Sequence, residues 1–134
     1  MKTIKINFLA FLAIIALVTA CSVGDDEPSC TAQAYSAATA VTGPEETTVN
    51  VPITFNVTFA KGTTCGAFNR FAESDGYPKT VMAILDYNGC TCSAVTTQLT
   101  QPYTFTASTA GTYVLNFVRG NAQEPLQKTI TVTQ

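Results

Sequence analysis

Val49-Asn50-Val51-Pro52-Ile53-Thr54-Phe55-Asn56-Val57-Thr58-Phe59 decides the fold: every odd position is apolar, and every even one is Asn, Pro or Thr. Unbroken alternation of this length predicts a β-strand with one buried face. Pro52 has no N–H to give to a ladder, so the strand lies at a sheet edge or starts near that residue. Working outward, Thr80–Tyr87 (TVMAILDY) is apolar on both faces near its middle, as a central strand would be. Asn88-Gly89 follows it and predicts a tight hairpin turn. Tyr103–Ala107 directs Tyr103, Phe105 and Ala107 inward, Gly111–Arg119 does so with Tyr113, Leu115 and Phe117, and Gln127–Thr133 with Ile130 and Val132. A weaker first strand is expected over Gln33–Val41. Strand starts recur about every ten residues with no helical window between them, which predicts six to eight antiparallel strands, about seven, in an all-β sandwich.

The 134 residues make one small domain, and the 23 threonines agree with a β protein. The first twenty residues stand apart. Lys2 and Lys5 precede Phe8–Ala20 (FLAFLAIIALVTA), which is apolar except for Thr19. As a helix this run spans about 20 Å, short of the ~30 Å hydrocarbon core, so it reads as a signal-peptide h-region and not a membrane span. Lys2 and Lys5 are two of the seven Lys/Arg, so the remainder carries five against nine Asp/Glu, net −4. No basic patch is left to attract nucleic acid. The chain has no histidine, which removes the commonest general base and the commonest metal ligand.

Val18-Thr19-Ala20-Cys21 resembles the lipobox of bacterial lipoproteins, in which the cysteine is acylated and becomes the new N-terminus. Ordinary signal cleavage after Ala20 is the alternative. Ser22-Val23-Gly24-Asp25-Asp26-Glu27-Pro28 is similar to the acidic export stretch of Bacteroidota surface lipoproteins, which implies an outer-membrane anchor and display at the cell surface. Any anchored domain also wants a polar spacer, so a periplasmic face is the alternative. The expected organisation is a signal peptide over 1–20, acylated Cys21 with a tether to residue 30, and one domain over 31–134.

Four cysteines remain: Cys30, Cys65, Cys90 and Cys92. An even number in a small exported domain predicts two disulfides. Cys90 and Cys92 lie two apart on one face of an extended chain, so a bridge between them would strain the backbone. Cys65–Cys92 with Cys30–Cys90 is the favoured pairing, and the swapped pairing stays open. Two chemical readings compete. A redox Cys-x-Cys wants a lowered pKa from a helix N-terminus or cation, and neither is apparent around Asn88–Ser93. A Cys₄ zinc site would show paired knuckles, which this spacing lacks.

Thr109-Ala110-Gly111-Thr112-Tyr113 resembles the turn into strand F of immunoglobulin-like domains, where a tyrosine corner pins the crossing. The chain departs from antibody domains in having no tryptophan and Leu115 where the second cysteine would fall. Cys65–Phe71 (CGAFNRF), Tyr87–Cys92 (YNGCTC), Tyr103-Thr104-Phe105 and Gly111-Thr112-Tyr113 together resemble small flavobacterial-type lipoproteins with a cysteine-containing, immunoglobulin-like β domain. That resemblance covers about residues 50–120. It implies a fold and a location, and it brings no activity.

Catalytic signatures are sparse. The serines lack a GxSxG elbow, and Glu45-Glu46 and Asp25-Asp26-Glu27 lack the alternating oxygen ligands of a calcium loop. Glu73 and Asp75 sit in the Gly/Pro-rich stretch Ala72–Lys79 and are expected in solvent. No catalytic residue, cofactor or metal is expected. The best binding candidate is Phe68–Tyr77 (FNRFAESDGY), with Arg70, Glu73, Asp75 and Tyr77 as the contact residues. The competing reading has Phe68 and Phe71 plugging the core while only the charged residues face water. The sequence therefore predicts a non-catalytic surface binding or accessory module with a protein or glycan partner. The alternative is a thiol–disulfide or metal-handling envelope protein using Cys90 and Cys92.

Overall fold

The computed structural model describes residues 29–120 and 122–134, and the signal segment, Cys21 and the acidic tether lie outside the described residues. Among the described residues nine strands follow one another: β1 (Thr31–Ser36), β2 (Ala38–Thr42), β3 (Glu46–Thr48), β4 (Ile53–Ala60), β5 (Gly66–Glu73), β6 (Lys79–Asn88), β7 (Gln98–Phe105), β8 (Gly111–Phe117) and β9 (Leu126–Thr133). They form two sheets. The larger runs β1-β6-β8-β9-β3 with β5 also on β6, and the smaller runs β2-β4-β7.

Alternation is realised where it was strongest. Phe55, Val57 and Phe59 of β4 are buried, as are Tyr103 and Phe105 of β7. They meet Val81, Ala83 and Leu85 of β6, Leu115 and Phe117 of β8, and Ile130 and Val132 of β9 in one core. Rings interlock across the gap: Phe55 and Tyr103 on Phe117, and Phe59 and Tyr103 on Phe71, with centroids 5.4–6.3 Å apart. Each fully buried side chain of this size stabilises the fold by roughly 1.5–3 kcal/mol. The opposite face of the small sheet carries Thr54, Asn56, Thr58, Thr100 and Thr104, and the Thr58 and Thr100 hydroxyls hydrogen-bond at 2.9 Å. Much of the threonine content is spent on such solvated strand faces.

Five expectations need correction. The alternation through Val49 and Val51 does not belong to β4. Asn50 adopts φ 63°, its N–H donates to the Ala107 carbonyl, and Val51 is left exposed, so the strand starts after Pro52 at Ile53. The strand expected over Gln33–Val41 is two strands in different sheets. The change of sheet falls at Ala37, where the buried Ser36 hydroxyl donates to the Ala60 carbonyl and Ala38 N–H to that of Val118. Asn88-Gly89 closes no hairpin, because Gly89 N–H donates to the Cys30 carbonyl and the chain is led away to disulfides before β7 begins. Strands β3 and β5 have no counterpart in the expected set. Finally, the sheets are not wholly antiparallel. β3 pairs β9 in parallel, and β8 runs parallel to the Lys79–Val81 half of β6, next to the half held by β1.

Candidate functional site

One end of the molecule is covalently fastened. Cys30, just before β1, is bonded to Cys90, and Cys65, in the β4–β5 connection, to Cys92. The Cα separations of 4.9 and 5.5 Å are ordinary for disulfides. Backbone bonds stitch the same segments: Thr64 N–H to the Ser93 carbonyl and Val95 N–H to that of Gly62, both at 2.9 Å. Cys90 and Cys92 are exposed, yet each sulfur is engaged with a different partner strand region. Among the described residues, no group of three or more His, Cys, Asp or Glu could hold a metal ion.

The four binding candidates are split up. Arg70 pairs across with Ile84, while Phe71 and Glu73 pair with the buried Ala83 and Val81, so Arg70 lies on the outer face of β5 and Glu73 on the inner one. Glu73 accepts from Lys79 Nζ at 2.7 Å, and the buried Tyr103 phenol lies near that carboxylate. Burial, followed by the nearby Glu73 charge, raises the Tyr103 pKa well above the ordinary tyrosine value. The hydrogen bond to Glu73 raises that of Lys79. Tyr77 is half-exposed and stands edge-on to Tyr113, centroids 4.7 Å apart, with Lys79 Nζ 5.6 Å from its ring centre. Asp75 stays in the exposed turn. Phe68 and Phe71 are half-buried and stack on Phe59, which makes them part of the core. Glu73 is exposed, as expected, and paired with Lys79 it does not join Arg70 in a shared patch.

A different cluster forms on the outer face of β1, β6 and β5. Gln33 and Asp86 are direct partners across β1 and β6, and Tyr35 is the partner of Ile84 in the neighbouring row. Asp86 Oδ1 accepts from Gln33 Nε2 at 2.7 Å, and its Oδ2 accepts from Asn69 Nδ2 at 2.6 Å. The register of β5 shifts between Phe68 and Arg70, and this bulge re-aims the Asn69 carboxamide at Asp86. Tyr35 is 48% exposed, and Arg70 flanks the same row beyond Ile84. A shallow depression of about 290 Å³ lined by Thr31, Ala32, Gln33, Asp86 and Asn88 adjoins the group. The one sequence signal for this cluster was an acid, Asp86, inside the otherwise apolar strand TVMAILDY.

No protein family, curated protein or solved structure matches the chain.

Proposed function

We propose that the protein is an outer-membrane lipoprotein, anchored through acylated Cys21 and displayed at the cell surface, whose immunoglobulin-like domain is a non-catalytic binding module for a protein or glycan. The observation that carries this reading is the position of Cys30. It lies nine residues beyond Cys21, where the tether meets β1, and its disulfide to Cys90 fixes the exit point to the central strand region. On this reading the eight-residue tether spans at most about 26–29 Å, which bounds how far the Cys30 end of the domain stands from the membrane. The immunoglobulin-like assignment rests on two sheets around one core and on Tyr113, whose hydroxyl donates to the Thr109 carbonyl at 2.9 Å as a tyrosine corner does. The parallel β6–β8 pair departs from that pattern.

Protease treatment of intact cells tests the display. Digestion of the domain, with a periplasmic lipoprotein protected alongside, is the expected result. Protection until the outer membrane is opened would overturn it.

A further inference from the structure

We infer that the outer face of β1, β6 and β5 around Asp86 binds a neutral sugar residue of a glycan, with Tyr35 as its stacking platform. This deepens the binding-module reading above and rests on it. The argument starts from Asp86. A carboxylate has about four lone-pair sites, and here one donor sits on each oxygen, so each keeps acceptor capacity facing outward. The two donors are primary amides, Gln33 and Asn69, which each retain a second N–H and a carbonyl oxygen. The carboxylate and the amides hold one another in place, which lowers the ordering cost that a sugar hydroxyl would otherwise meet. Alternating donors and acceptors fixed at one spot suit vicinal hydroxyls, which donate and accept together.

An apolar platform completes the requirement. Tyr35 lies one row from Asp86, diagonally across the β1–β6 pair, a separation of about 7–8 Å that one hexose ring with its hydroxyls covers. Its exposed ring is a rigid amphipathic surface for the C–H face of that sugar. Asp86 and Arg70 bring one charge of each sign to this face, so neither a polyanion nor a polycation is favoured there, and an uncharged partner fits best. The adjoining depression beside Thr31 and Asn88 gives the next sugar of a chain a place to run.

The test uses the full-length protein purified in detergent, titrated by calorimetry with cellohexaose, xylohexaose, mannohexaose and a galacto-oligosaccharide. At least one is expected to bind with a dissociation constant of about 1 mM or tighter. Tyr35→Ala and Asp86→Ala should each weaken that binding at least tenfold, Tyr35→Phe should retain it, and Glu73→Gln should leave it unchanged. Thermal unfolding of each variant separates lost binding from lost folding, and Tyr35→Ala carries the test if Asp86→Ala does not fold. Absence of binding by all four sugars, or binding that a folded Tyr35→Ala variant keeps, overturns the assignment, as does capture of polylysine in their place. The whole-cell protease result is independent: a surface-exposed domain that binds no sugar overturns this site alone, and a sugar-binding but protected domain overturns display alone.

Discussion

The Tyr103 phenol is buried where the two sheets meet, near the Glu73–Lys79 ion pair at the edge. Below about pH 10 both folded and unfolded chains keep the phenol protonated. Above it the unfolded chain releases a proton that the folded protein retains, because burial first and Glu73 second raise the native pKa. Stability from this residue is therefore complete below that pH and falls as pH rises, by up to ~1.4 kcal/mol per pH unit. Lys79 works in the same direction, since its raised pKa means that the pairing is lost as pH climbs. Tyr103→Phe is expected to flatten the alkaline decline. Urea unfolding at pH 7, 9 and 11 checks this, and an unchanged slope would sink it. Glu73→Gln in the same series should remove the share owed to Lys79.

At the scale of elements, the two staples have different loads. By loop-closure entropy the Cys30–Cys90 bond, spanning 60 residues, stabilises the fold by about 4 kcal/mol, and Cys65–Cys92, spanning 27, by about 3.5. Strand β1 buries little besides Ser36 and, among the described residues, pairs only with β6, so the Cys30 staple holds a strand that packing does not. Replacing Cys30 and Cys90 by Ser should therefore speed amide exchange across Thr31–Ser36 while β4 and β7 stay protected. Equal protection of β1 in both proteins would refute this. The turn into β5 is constrained differently: a Cβ on Gly66 would lie 2.7 Å from the Lys61 carbonyl oxygen and 3.0 Å from the Tyr87 ring. Gly66→Ala should cost about 1–3 kcal/mol, whereas Gly120→Ala, with nothing within 4 Å, should shift the thermal midpoint little. These elements also show what alternation makes legible. Strands β4, β6, β7, β8 and β9 each bury every second residue and were readable, though with shifted ends. In β5 the extra residue at the bulge puts Phe68 and Phe71 three apart and hides the period. Three residues, Glu46-Thr47-Thr48, carry no period at all. Arg70 was legible as a surface residue, but Gln33, Asn69 and Asp86 lie far apart in sequence and become one cluster only through the pairing register.

For the whole molecule, the lipoprotein reading proposed above assigns placement to two short segments. On that reading Cys21 carries the lipid, and acyl chains bury roughly 0.8 kcal/mol per CH₂, so anchoring would need nothing from the domain. Asp25-Asp26-Glu27 supplies charge that anchoring does not require, since a neutral polar spacer of the same length would be equally solvated. If that run is an export address, the two functions separate. Replacing Asp25, Asp26 and Glu27 by Asn, Asn and Gln should leave the protein in the outer-membrane fraction and acylated, while whole-cell protease no longer cuts the domain. Cys21→Ser should instead release it from the membrane fraction. A triple variant still cut on intact cells would reduce the acidic run to a spacer, and the address would then have to lie within the folded domain itself.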